Sequence, residues 1–402
     1  MSSTLTWLDY SERERRTMLD VVKLFRESDT RDELGIGSVR DALADLFFPG
    51  TSTIQTRARY FVFVPWIYLD LENHRTDSLK IADRARRQET ALISALLAAG
   101  ETEGVIGRQA QDKLQRLPSN IYWQGLGALG LRVFAGSQDQ YHRSLTRYYA
   151  HLAQLTRQRA EEPTDLRGYT NWHLGLPPTP TDFPNGVTFT LTRIEAAYLR
   201  ERIQTHAPDT LLAFWVSHRA SPPQSVFPWD VVDTQHPIHL REKLAHAQNF
   251  SESLHGAALL YNLLLAEATP RTDWVETYRT ALDEWVALIT SRFAILTRWD
   301  KEQFWNIVLN ANPRVPRFTR VFVEQWLEMA LDPTRLPNLA DHASARDLIR
   351  AREHFLKRGQ ARLENRRALD LWNGAAGTGR LDFRWGVAQR HLQDIHTGLH
   401  AR

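Results

Sequence analysis

The sequence predicts a mainly α protein: N-terminal helix-turn-helix and winged-helix-like units, then a larger helical domain with minimal β structure. Three observations lead there. Capping boxes recur at Ser11–Glu14, Ser38–Asp41, Ser52–Gln55, Thr192–Glu195 and Ser344–Asp347, and such pairs satisfy the first free amides of a helix. Long stretches place apolar residues at helical steps, as in Leu240, Leu244, Ala247, Leu254, Ala258, Tyr261 and Leu265. Only Val187 to Leu191 alternates like a strand.

The first unit, residues 1–75, is expected to hold helices near 12–27, 39–48 and 53–71. The third is polar and basic at its start (Thr53, Gln55, Thr56, Arg57, Arg59). Beyond that it is almost wholly apolar (Phe61, Val62, Phe63, Val64, Trp66, Ile67). Such a helix presents its tip while its root is anchored in a core. Pro65 should bend or break it, since proline lacks an amide donor and clashes one turn back.

The second unit, residues 76–160, opens with a helix over 84–99 that ends at Gly100. A helix over 108–116, a turn at Leu117, Pro118 and Ser119, a helix over 120–130 and an extended piece from Leu131 to Phe134 follow. That order is the layout of a winged helix. Residues 161–187, rich in Pro, Gly and Thr, form a linker. The helical domain, residues 188–402, is expected to carry helices over 194–204 and 238–268, around Trp274 to Ile289, and over 301–310 and 319–331. One long helix from Ser344 to about Trp372 and a terminal helix complete it.

The chain has 402 residues and no Cys, which excludes disulfides, Cys-ligated zinc, iron–sulfur clusters and thiol catalysis. No apolar run is long enough for a membrane span, and the N-terminus lacks a signal pattern, so a cytoplasmic protein without membrane contact is expected. The net charge of +3 means that nucleic-acid affinity must come from local patches. Only six of the 50 basic residues are Lys, and Arg suits bidentate phosphate and base-edge contacts better.

Two patches have that character. In the first unit, Thr53, Gln55, Thr56, Arg57 and Arg59 occupy the positions from which a second helix reads a groove. In the second, Ser119, Asn120 and Gln124 would face a groove, Arg132 would sit on a wing, and Arg108, Lys113 and Arg116 would flank it on phosphates. The Arg-rich stretch from Arg346 to Arg367 is interleaved with Glu353 and Glu364, the pattern of a salt-bridged solvated face. The run GAAGTGR, Gly374 to Arg380, lacks the spacing and the Lys of a phosphate loop and reads as a plain loop. His391, His396 and His400 form no metal motif, and no catalytic residue or cofactor is implied. Exposed Arg57 and Arg59 should be replaceable together with loss of DNA affinity and little change in melting temperature.

The phrases WLDYSERERR, GIGSVRDALADLFFPGTSTIQTRARYFVFVPWIYLDLE, SLHGAALLYNLLLAE and GTGRLDFRW resemble an uncharacterised bacterial family, a domain of unknown function, over essentially the whole chain. The resemblance transfers no activity and no functional residue. It associates the chain with bacterial gene clusters that modify or defend DNA. The expected function is therefore a cytoplasmic accessory protein that binds DNA or a DNA-handling complex. A helical scaffold contacting only proteins and a metal-dependent nuclease without a recognisable motif are the alternatives.

Overall fold

A computed structural model describes residues 32–110, 114–159, 170–231 and 236–401. The chain divides into two units, each discontinuous in sequence, unlike the contiguous blocks expected from composition. The first is built from the described part of Met1–Leu43 and from Glu242–Leu381; the second is built from Ala44–Arg241 and the described part of Asp382–Arg402. Among the described residues every regular element is helical, and β pairing is limited to one isolated antiparallel bridge between Arg132 and Trp172.

Helix α1 (Gly37–Phe47) leads from the first unit into the second. It starts at Gly37, where the Asp32 carboxylate accepts from the amides of Ile36 and Gly37 at 2.7 and 2.8 Å, so Asp32 takes the capping role expected of Ser38. The helix expected over 12–27 lies outside the described residues.

The second unit contains α2 (Tyr60–Asn73), α3 (Ile81–Ala98), α4 (Pro118–Ala128), α5 (Gln138–Arg159), α6 (Arg193–His206) and α7 (Leu211–Ser217). Helix α2 is its hub. Every residue from Tyr60 to Tyr68 is buried, Phe61 and Trp66 included. A helix apolar on all sides is stable only inside a core, and each such aromatic contributes about 2 kcal/mol by its burial. The helix continues through Pro65 to Asn73, so the expected break does not occur. Around it, Tyr60 and Phe63 meet Phe189, Trp66 meets Phe183, and Tyr68 meets Trp123, Tyr141 and Trp172, all with ring centroids 5.3–6.5 Å apart.

Two sequence expectations fail in this unit. The described residues of 108–116 form turns rather than a helix. Val187, Phe189 and Leu191 are buried in alternation, but no strand pairs with them. The 22-residue α5 was not expected at all.

Helix α8 (Ile238–Glu267) returns the chain to the first unit, which adds α9 (Thr272–Leu296), α10 (Lys301–Ala311), α11 (Arg317–Ala330), α12 (Ala343–Lys357) and α13 (Arg366–Asp370). Buried indoles bind backbone on α8: Trp285 donates to the carbonyl of Glu252 and Trp326 to that of Ser253, both at 2.8 Å. The long helix expected from Ser344 ends at Lys357. There Arg358 adopts φ +48°, and the buried Glu353 carboxylate accepts from the amides of Arg362 and Leu363 at 2.9 and 3.0 Å. After a single 3-10 turn, Arg358–Gln360, these bonds hold 361–363 out of the α-helix. The terminal helix α14 (Trp385–Leu399) belongs to the second unit and packs on α6 and α7.

Candidate nucleic-acid interface

The polar stretch before α2 is not the tip of a helix. Residues 51–59 are turns and loop, because distant groups capture their amides. Thr56 and Arg57 donate their backbone N–H groups to the Tyr122 hydroxyl at 2.9 and 3.1 Å, and Ala58 donates to Asp394 at 2.9 Å. Arg57 forms a bidentate pair with Asp394, Nη2 at 2.8 Å and Nε at 3.0 Å. Burial alone would lower the Arg57 guanidinium, but the bonds and charge of Asp394 outweigh it and hold it above its ordinary value. Arg59 is buried, giving one bond to Glu195 at 2.8 Å and another to the Thr188 carbonyl at 2.7 Å. Gln55 is buried and donates to the Gly50 carbonyl; Thr56 donates to that of Gly104. Only Thr53 of the five candidates stands exposed.

The second candidate group divides. Ser119 is fully buried, with its amide and hydroxyl both donated to Glu89 at 2.8 and 2.7 Å. Burial pushes the Glu89 carboxyl up to about 7, against those two bonds. Arg132 is also buried: it lies over the Trp123 ring and donates to the carbonyls of Phe134, Gly136 and Trp123. With a single bridge to Trp172, the segment around it forms no hairpin wing. Arg108, Arg116, Asn120 and Gln124 are exposed. Of these, Arg108 donates to the Thr102 carbonyl and Asn120 to Gln138. Lys113 lies outside the described residues.

Within this unit a different surface has the chemistry sought. The exposed residues of α14 are Gly386, Arg390, Gln393 and Thr397, continued by His400. Steps of three and four put them on one face. The helix has one acid, Asp394, and it is buried against Arg57, so the helix itself puts no carboxylate on its solvent face; Asp382, just before it, accepts from the amides of Arg384 and Gly386 at 3.0 and 3.3 Å. Beside it opens a cleft of about 590 Å³ lined by Thr190, Arg219, Ser221, Gln393, His396, Thr397 and His400, again without a carboxylate among the described residues. Among the described residues Arg219 and Arg390 make no ion pair or hydrogen bond there, and both are exposed.

The cleft's inner wall is His396, 4% exposed, whose Nε2–H donates to the Trp215 carbonyl at 2.9 Å while Nδ1 has no partner. Burial lowers this imidazole, and His400, His218 and Arg200 add to the effect. It is neutral at pH 7. One turn earlier, His391 faces inward and burial lowers it to about 3. As metal ligands, the only role their spacing suggests, these histidines lead nowhere. The informative signal in this stretch is instead the composition of the opposite, acid-free face.

In the first unit the Arg-rich stretch is largely paired: Arg346 with Glu267, Arg350 with Asp347, Arg362 with Glu33 and Arg366 with Asp370. Glu33, Glu353, Tyr261, Lys357 and Arg362 form a connected polar network at the edge of a cleft of about 580 Å³. Burial raises the Tyr261 hydroxyl, with Glu353 adding to it. Burial would also raise Glu33, but Lys357 and Arg362 outweigh it and hold that carboxyl below its usual range. Two carboxylates meet two cations there, which is a balanced structural network. The glycine loop is fastened through carbonyls: Gly374 accepts from Tyr278, Ala376 from Asn262 and Thr378 from His255. Among the described residues no group of three or more His, Asp or Glu is placed to hold a metal ion, and no helix is long and apolar enough to cross a membrane.

No curated protein and no solved structure matches the chain. A family model does, over residues 1–398. With nearly every residue inside that match, the chain belongs to the family described as "Family of unknown function (DUF6361)".

Proposed function

We propose that this chain is a cytoplasmic accessory protein of a DNA-modifying or DNA-defending system that binds DNA phosphates through the exposed face of α14 and its flanking cleft. One observation carries the reading: Arg219, Arg390, Gln393 and Thr397 offer donors along the α14 face and its cleft, and no carboxylate lines that cleft among the described residues. Phosphate contacts supply most of the non-specific affinity of a DNA-binding protein and come from these side-chain types. The surface differs from the one expected around Arg57 and Arg59, whose guanidinium groups are engaged with Asp394 and Glu195.

Fluorescence anisotropy with labelled duplex and single-stranded DNA across a salt series tests this. Wild-type protein should bind at low salt with a linear log–log salt dependence. The double variant Arg219→Ala, Arg390→Ala should bind more weakly, its slope reduced by about 0.9 for each phosphate that is no longer neutralised. Absence of binding at low salt refutes the reading and leaves a scaffold that contacts only proteins. Binding that the double variant retains unchanged moves the DNA surface elsewhere.

A further inference from the structure

We infer that the DNA held on the α14 face is single-stranded, its unpaired bases stacking on the rings of Phe227 and Trp229 while its phosphates follow the helix. The inference rests on the reading of that face as a DNA surface and adds the form of the ligand. The two rings lie 3° from parallel with centroids 5.0 Å apart, and both are half-buried. Beside them Val226 is 70% exposed, so the tip of this loop keeps a flat apolar surface in water. A ring pair of this kind offers a face to a nucleobase, and a base has its own face to offer only outside the stack of a duplex.

The ring pair stands in line with the donors, because residues 219–229 run antiparallel to α14. Arg219 and Ser221 line the cleft beside Gln393, Thr397 and His400. Further on, Gln389 donates to the Pro223 carbonyl and the Trp385 indole to the Ser225 hydroxyl, both at 2.9 Å. Trp229 then meets Phe383 edge-on at 6.1 Å. The rings therefore lie at the N-terminal end of α14 and the cleft at its C-terminal end, with the exposed Arg390 and Gln393 between them. From Trp385 to Thr397 the helix rises roughly 18 Å, the length of about five phosphates at the spacing of a stacked strand. Acids at the ring end are engaged within the fold. Asp230 accepts from the Phe227 amide at 3.0 Å, Asp382 from the amides of Arg384 and Gly386, and Asp45 from the Arg384 side chain. A row of phosphate donors that ends in an aromatic platform holds a single strand without regard to its sequence.

Fluorescence anisotropy on the full chain at about 0.15 M salt, where exposed charges are well screened, tests the inference. A short oligothymidylate should bind about tenfold tighter than a duplex of the same length. It should also bind about tenfold tighter than an abasic phosphodiester strand of that length, which has the phosphates without the bases. Trp229→Leu should weaken the oligothymidylate about tenfold and keep the slope of log Kd against log salt, because phosphate contacts set that slope. The abasic comparison uses the wild-type protein, so it decides even where the variant disturbs the loop. Equal affinity for the abasic and base-bearing strands overturns the inference and leaves the DNA surface in place. A duplex bound as tightly as the single strand, or unchanged affinity in a folded Trp229→Leu variant, does the same. Absence of binding to all three ligands at low salt overturns the inference and the DNA surface together.

Discussion

Replacing Asp394 by Ala should destabilise the second unit by about 3 kcal/mol. The carboxylate is 7% exposed and accepts from both Nε and Nη2 of Arg57 and from the amide of Ala58. Removing one partner of a buried pair costs about 3–5 kcal/mol, because the remaining charge is left without its counterpart. Arg57 keeps 24% of its side chain in solvent and can regain some water, which places the loss at the lower end. The reverse variant, Arg57→Ala, should cost a similar amount, so the expectation that Arg57 is replaceable with little change in melting temperature is reversed. Urea unfolding followed by tryptophan fluorescence reads each loss. A double-mutant cycle should then give a coupling of about 2 kcal/mol, the double variant costing less than the two singles together. Strict additivity, or a single loss below about 1 kcal/mol, would refute the assignment of this pair as a structural lock.

Two further outcomes are expected. The folded Glu89 carboxyl titrates near about 7 against an ordinary value of 4.5, so the folded chain holds an extra proton between those values. Its contribution is full below pH 4.5 and is lost as pH rises to about 7, a fall of about 3 kcal/mol. Glu89→Gln should remove that fall, and parallel pH profiles of unfolding free energy for variant and wild type would disprove it. Gly125→Ala should cost about 3 kcal/mol, since a Cβ there would lie 2.2 Å from the Gly50 carbonyl oxygen and 2.9 Å from the Phe61 ring. Unchanged thermal unfolding would contradict that packing.

Local signals in the sequence were sound where nothing distant competed with them. The Thr192–Glu195 box forms as expected, with the Glu195 amide donating to the Thr192 hydroxyl and the Thr192 amide to the carboxylate. The Ser52–Gln55 box has the same pattern and caps nothing. Amides that would have opened its helix go to Tyr122 and Asp394, 66 and 336 residues away, and a pattern of four residues holds no trace of partners so remote. Likewise the end of the long helix at Lys357 depends on Glu353 reaching forward to 362 and 363. Helix α5 escapes detection for the opposite reason: it is rich in Arg, Tyr and Gln, and few of its side chains are buried apolar groups. As for the site, residue types were legible but burial was not. Arg57, Arg59 and Arg132 look like Arg219 and Arg390 in a sequence, and only the fold separates those facing carboxylates or carbonyls from those facing water.

The interleaving of the two units constrains how the protein is made. Synthesis runs from the N-terminus, and domains generally fold in that order as they emerge. Here neither unit is contiguous: the first needs residues up to Leu381, and the second needs the residues after it. While a ribosome is still translating, Arg57 and Ala58 lack Asp394, and α6 and α7 lack the helix that covers them. Completion of the second unit therefore waits until α14 has been made. A truncation that removes α14 would trim no dispensable tail. It would leave most of the polypeptide present, with a buried cation and an apolar face uncovered, in the state that chaperones and proteases recognise.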